Sequence, residues 1–241
     1  MRSRRTLVWG AFFPAVLALA AATRGAAVHP STHSTSSGST HSTSSGSTVS
    51  TVEPSTVARG APSVVEGQIP DVDGRQLNPF KPSGAANVIF FVATDCPISN
   101  SYAPEIQRVC REYGARGVGC SLMYEDVDTA SSATRLDDVV RKHLQEYRYA
   151  DIPAAVDRAR TIAKHAKASV TPQAVVIDRA GQIRYRGRID NFYAALGKPR
   201  QQITERDLRN ALDAVLSGRP VPKVETEALG CFIVDPALLR K

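Results

Sequence analysis

The chain has 241 residues and a formal net charge of +7, enough for one sizeable domain with appendages. Four of those charges, Arg2, Arg4, Arg5 and Arg24, stand among the first 27 residues with no acid beside them, so the rest of the chain carries only +3. No polybasic cluster remains there, which argues against nucleic acid as a partner. Residues 1–27 read as an export signal: a basic start, a mostly apolar run from Leu7 to Ala22, and small residues from Ala20 to Ala27 for cleavage. The run is shorter than the ~20 apolar residues of a spanning helix and is broken by Gly10 and Pro14. The expectation is export to the periplasm or the extracellular space, with no stable membrane span after cleavage; an uncleaved anchor is the alternative reading of the same segment. Ser3-Arg4-Arg5-Thr6-Leu7 suits a twin-arginine route as well as the general one.

Residues 28–62 read as a disordered linker, rich in Ser, Thr, Gly and His, in which THSTSSGS at 32–39 recurs unchanged at 40–47. Such a segment has too little apolar surface to offset its ordering entropy. His33 and His41, eight apart on a flexible chain, make a poor metal site, and neither a metal nor a cofactor is expected.

A globular composition spans 63–218. Asp71-Val-Asp-Gly74 reads as a turn between short strands. Val88-Ile89-Phe90-Phe91-Val92 is the continuous apolar run of a strand buried on both faces. A helix follows with Ile106, Val109, Cys110 and Tyr113 on one face, ending near Gly114 or Gly117. Val118–Tyr124 reads as the next strand, Leu136 to Tyr147 as a second amphipathic helix, Ile152–Val156 as a short strand and Arg158–Lys167 as a short helix. Ala174–Ile177 and Ile183–Ile189 flank the turn Asp178-Arg-Ala-Gly181 as an antiparallel hairpin. The last helix carries Leu208, Ala211, Leu212, Val215 and Leu216 on one face, with Thr204 and Asp207 as its capping pair and Gly218 as its stop. Residues 219–241 form a tail that begins Pro-rich and carries Cys231. The order of elements predicts an α/β fold: a mostly parallel central sheet, an antiparallel edge hairpin, and helices on both faces.

Four cysteines in an exported chain meet a compartment where disulfides persist, and they allow three complete pairings. Cys96 falls where the apolar strand gives way to a helix, with Pro97 at the first helical position. The unsatisfied N–H groups there favour thiolate, the nucleophilic form. Asp95 opposes it as a second negative charge. Cys110 lies on the apolar helix face and Cys120 in a strand, so both read as buried core thiols. Cys231 follows a glycine beyond the last helix, and is either a partner thiol or a free tail cysteine.

The strand-then-cysteine junction, Pro104 in the following helix and Val170-Thr171-Pro172 before an apolar strand resemble the thioredoxin-like superfamily. GQIRYRGRID at 181–190 and TEALGCFI at 226–233 bring the resemblance closer, to exported bacterial redoxin-type proteins of the alkyl hydroperoxide reductase/thiol-specific antioxidant family. It covers roughly residues 63–235. It implies a thioredoxin-like fold, with Thr171-Pro172 as the cis-proline loop that lies against the active cysteine and binds substrate backbone. The site departs from the dithiol pattern: Cys96-Pro-Ile-Ser99 puts a hydroxyl where the resolving thiol belongs, and serine cannot resolve a mixed disulfide. It also departs from the peroxidase pattern, with Ala93 and Ile89 at the Thr and Pro positions; Thr94 lies nearby, and Arg186 or Arg188 would have to polarise the peroxide. A copper-carrying relative would have a second cysteine where Asn100 stands.

Three functions follow. The first is a thiol-disulfide oxidoreductase, with Cys96 as nucleophile, Cys231 resolving, and a thiol/disulfide protein or small-thiol reductant as partner. The second is a thiol peroxidase acting on hydroperoxides. The third is a non-enzymatic binding module that kept the fold.

Overall fold

A computed structural model of the protein describes residues 67–126, 133–149 and 151–238. The expected signal and linker lie outside the described residues. In chain order, β1 (Ile69–Pro70) and β2 (Gln76–Leu77) precede β3 (Ala86–Val92), α1 (Pro97–Ser101) and α2 (Ala103–Gly114). Then come β4 (Val118–Tyr124), α3 (Ala133–Glu146), β5 (Ala154–Val156), α4 (Thr161–Ala166) and β6 (Val170–Thr171). β7 (Gln173–Asp178), β8 (Ile183–Gly187), β9 (Tyr193–Ala195), β10 (Lys198–Pro199), α5 (Asp207–Leu216) and β11 (Cys231–Phe232) complete the set, with a 3₁₀ turn at Pro236–Leu238.

All seven residues of β3 are buried. Successive side chains of a strand point to opposite faces. Val88, Phe90 and Val92 therefore enter one apolar cluster while Ile89 and Phe91 enter another. The first is closed by α2 (Ile106, Val109, Tyr113), α3 (Leu136, Val140) and α5 (Leu208, Ala211, Leu212), the second by α4 (Ile162, Ala163, Ala166). The five-stranded sheet runs β5-β4-β3-β7-β8. Pairs β3/β4 and β4/β5 are parallel; β3/β7 and β7/β8 are antiparallel. The fold is thioredoxin-like, with four strands in one direction and β7 alone against them. The expected antiparallel hairpin, β7 and β8, supplies two of the five strands and forms one edge of the sheet.

Three local expectations change. The single helix expected after Cys96 is two, because Pro104 has no N–H to bond back one turn and its ring crowds the carbonyl there. α1 ends at Tyr102, whose N–H reaches back to Ser99 O at 3.1 Å, and α2 starts afresh. The Thr204–Asp207 cap does not form: the N-cap of α5 is Arg206, with no side-chain capping bond. Thr204 Oγ1 instead accepts from Asn191 Nδ2 at 2.7 Å. Asp207 goes to Arg188 at 2.7 Å, whose guanidinium offers a buried carboxylate more than backbone amides do.

Beyond α5 the chain returns along the edge of the domain. Arg186 N–H donates to Val224 O and Thr226 N–H to Arg186 O, both at 3.0 Å, extending the β8 side of the sheet. β11 then pairs antiparallel with β6, with Cys231 opposite Thr171 and Phe232 opposite Val170.

Candidate active site

The buried strand β3 delivers the chain to a short loop, and α1 begins at Pro97, with Cys96 as its N-cap in extended conformation. A cap side chain in that conformation faces the first free N–H groups of the helix. Here Ser99 N–H donates to Cys96 Sγ at 3.5 Å, so one backbone dipole is aimed at the sulfur. With only five residues in α1, this direct N–H contributes more than any axial dipole. Cys96 is fully buried. Its Sγ lies 3.1 Å from the carbonyl oxygen of Thr171, within reach of a donated S–H when the cysteine is a thiol.

The Thr171–Pro172 peptide bond is cis, and this loop carries β6. Because β11 lies in register on β6, Cys231 arrives beside the same carbonyl, and Cys96 and Cys231 form a disulfide with Cα atoms 6.1 Å apart. The two ends differ in access: Cys96 is buried, while Cys231 is exposed. Gly230 is required for the approach, since a Cβ there would stand 2.0 Å from Thr171 O.

The other expected site residues are dispersed. Ser99 is buried at the third position of α1, and its hydroxyl accepts from Ala93 N–H at 3.4 Å, tying the loop to the helix. Thr94 turns to Asp126: its N–H donates to Oδ1 at 3.0 Å and its hydroxyl donates to the same oxygen. Arg186 is held by Glu225 at 2.8 Å and by the carbonyl of Ala166 at 3.3 Å. Arg188 is held by Asp207 and Glu205, each at 2.7 Å. Both guanidiniums are thus committed to carboxylates. Arg188 does line a shallow groove with Pro172, Tyr102, Tyr193 and Leu229.

Reading Cys110 and Cys120 as core thiols is corrected. They form a second disulfide, Cα atoms 5.8 Å apart, joining α2 to β4 at the half-buried edge of the first cluster. An apolar-face cysteine looks the same in sequence whether its neighbour across the layer is a side chain or another sulfur.

Two polar networks had no sequence signal beyond residue type. His143, on α3, is buried among Tyr124, Tyr147 and Tyr149. Its Nε2 lies 2.9 Å from Asn100 Oδ1, and Asn100 Nδ2 donates to Thr94 O at 3.0 Å. Asn100 therefore accepts from His143, which fixes the Nε2–H tautomer and leaves Nδ1 to accept from Tyr124 O–H at 2.9 Å. Burial lowers the His143 pKa, favouring this neutral form. On the other side of the strand ends, Arg160 lies fully buried 3.3 Å from Glu125. Its guanidinium donates to the carbonyls of Asp157, Glu125, Asp126 and, from the tail, Val234. Glu125 has no hydrogen-bond partner for either oxygen. Burial, with Asp157 adding and Arg160 opposing, pushes its pKa up to about 9. Arg160 is satisfied by carbonyls, so the protonated carboxyl leaves it no orphan.

The AhpC/TSA family model matches residues 61–186. A solved structure of an uncharacterized conserved protein from Geobacillus kaustophilus is 31% identical, with TM-score 0.58, covering 69% of this chain and 86% of that one. A hypothetical protein from Sinorhizobium meliloti 1021 is 26% identical at the same TM-score, covering 69% and 88%. No curated protein matches the chain. Among the described residues no helix is long and apolar enough to cross a membrane. A family match over more than half of the sequence accords with a thioredoxin-like sheet that ends in a paired cysteine, and the chain belongs to the AhpC/TSA family of thiol redox enzymes.

Proposed function

We propose that the protein is an exported thiol-disulfide oxidoreductase with Cys96 as nucleophile and Cys231 as resolving thiol. The observation that carries this reading is the Cys96–Cys231 disulfide closed beside Thr171-Pro172. In the reduced protein the Cys96 thiolate, favoured by Ser99 N–H, attacks one sulfur of a substrate disulfide and expels the other as thiolate. Cys231, deprotonated, then attacks Cys96 Sγ, closes the protein disulfide and expels the second substrate sulfur. Two electrons pass to the substrate, and the two protons released by the cysteines match those its thiolates take up. A protein dithiol or small-thiol reductant reverses the cycle. It attacks the exposed Cys231 sulfur, and the buried Cys96 departs as the stabilised thiolate. Thr171 and Pro172 position the substrate; Ser99 and Thr94 hold the loop.

Two disulfides within the fold and the basic-then-apolar N-terminus support an oxidising, extracytoplasmic location. A peroxidase would ask for a hydroxyl and a guanidinium at the cysteine; the engagement of Thr94 by Asp126 and of Arg186 and Arg188 by acids weighs against it. A cysteine pair that closes weighs against a redox-inert module. The test is turnover of a disulfide substrate by the full chain under a dithiol donor, beside hydroperoxide consumption. Disulfide turnover is expected, with Cys231→Ser arresting after one event as a Cys96 mixed disulfide. Hydroperoxide consumed in preference to disulfide would reverse the assignment.

A further inference from the structure

The tail from Val224 to Asp235 is held along its length. Thr226 Oγ1 accepts from Arg188 N–H at 3.1 Å, Ile233 N–H donates to Ser169 O at 2.9 Å, Val234 O accepts from Arg160, and Asp235 pairs with Lys164 at 2.9 Å. At the centre, β11 is the one strand paired with β6 among the described residues. Val170 and Thr171 are buried, so an edge vacated by β11 would leave buried backbone groups unpaired, which a new strand would satisfy. Beside that edge the Thr171 side-chain hydroxyl is buried without a hydrogen-bond partner while the tail is seated. The tail thus occupies this edge as a pairing strand would.

Its geometry also describes what fits. The residue before the bonded cysteine passes against backbone: a Cβ on Gly230 would lie 2.0 Å from Thr171 O, 2.6 Å from Thr171 C and 3.1 Å from Pro172 N. None of these atoms can swing aside as a side-chain end can. The residue after the cysteine is unconstrained, since Phe232 is 81% exposed.

We propose that the edge of β6 is a binding groove for an extended polypeptide whose cysteine is immediately preceded by glycine, and that the chain's own Gly230-Cys231 is its resident ligand. This rests on the oxidoreductase reading above and narrows its substrate. While Cys96–Cys231 is closed the groove is filled. Reduction of that bond frees β11, and an incoming Gly-Cys strand, its cysteine in a disulfide, takes the same register opposite Thr171. Cys96 thiolate attacks that cysteine, the substrate disulfide breaks, and the distal sulfur leaves as thiolate. Return of Cys231 to Cys96 expels the substrate cysteine as thiolate and reseats the tail.

The test uses the full-length chain with Cys231→Ser, in which Cys96 is the one thiol left outside a disulfide. The probe is an eight-residue peptide copying Thr226–Ile233, its cysteine carrying thionitrobenzoate as a mixed disulfide. Release of the coloured thiolate is timed for this peptide and for versions with alanine or valine in place of the glycine. Dithiobis(nitrobenzoate) alone is run in parallel. The glycine peptide should react at least about tenfold faster than the valine peptide. Adding Gly230→Val to the protein should unseat the tail and speed the glycine peptide further. Equal rates for the three peptides, with the small disulfide still reacting, overturn the groove and leave the oxidoreductase reading standing. No reaction even with the small disulfide overturns both.

Discussion

Cys110 and Cys120 are ten residues apart in sequence and Cys96 and Cys231 are 135 apart, yet their Cα separations, 5.8 and 6.1 Å, are nearly the same. The short pair joins α2 to β4, a helix and the strand that directly follows it. Closing so small a loop removes little freedom from the unfolded chain, about 2–3 kcal/mol on the chain-entropy model. The long pair joins a tail to the loop after β3, across the whole domain, and the same model gives it about 5 kcal/mol. Both sulfurs of the short pair sit half-buried against an apolar cluster. In the long pair one sulfur is buried at a helix N-cap and the other is exposed on a two-residue strand. The bond that would contribute more to stability is thus the one with an accessible end and a good leaving group. On the oxidoreductase reading proposed above, a stapling disulfide and a working disulfide are told apart by what surrounds the sulfurs, not by how well the bond is placed.

The largest expected effect would break the comparison outright. Cys96→Ser should reduce disulfide exchange below about one thousandth of the wild-type rate, since a missing nucleophile has no substitute in the site. Replacing Cys110 and Cys120 together by Ala should leave that rate within about twofold while lowering unfolding free energy by about 2–3 kcal/mol in a denaturant titration. A loss of exchange in the double variant would make the short pair part of the redox machinery.

Smaller effects sharpen the difference between the surroundings of the two bonds. Glu125 lies beside Arg160, which also holds the tail carbonyl of Val234, and its folded pKa of about 9 stands above the ~4.3 of an unfolded glutamate. The folded state keeps a proton the unfolded state releases, so this group makes stability fall as pH rises from about 4.3 to about 9. Thermal unfolding across that window should show a decline that Glu125→Gln flattens; an unchanged slope would place the titration elsewhere. The smallest effect concerns His143, whose pKa is lowered by burial. Its folded state refuses a proton that the unfolded state accepts, so its contribution is present above ~6.5 and fades as pH falls below that value. His143→Phe should remove this acid sensitivity and cost about 1–2 kcal/mol at neutral pH, by leaving Tyr124 O–H and Asn100 Oδ1 unpaired. If chemical denaturation shows the same acid slope in the variant, another group is responsible.

Much of the fold was legible because it is written locally. A buried strand reads as an unbroken apolar run at 88–92, helix faces as a 3.6-residue period, and the hairpin as Asp178-Arg-Ala-Gly181 between two β-rich segments; each signal spans a few neighbouring residues. Cys96 could be singled out for the same reason, since a strand-to-helix junction with Pro97 at the first helical position is a local pattern. Thr171-Pro172 drew attention only through family likeness, as proline alone does not choose its isomer. The Gly230-Cys231 dipeptide was visible, and Cys231 could be named as the thiol to resolve Cys96, a pairing the structure contains. A tail of that length can nonetheless reach several places on a domain this size, so other pairings stayed open. How the four cysteines pair was decided by tertiary structure, because three pairings are open to them and only the return of β11 onto β6 selects one. The same is true of Thr94 and Arg188, whose residue types suit peroxide chemistry and whose partners, Asp126 in one case and Asp207 with Glu205 in the other, come from elements 17 to 32 residues away. Hydrophobic period is a property of one segment and survives in sequence, whereas the partner of a polar or sulfur atom is fixed by distances between segments, which exist only once the layers have packed.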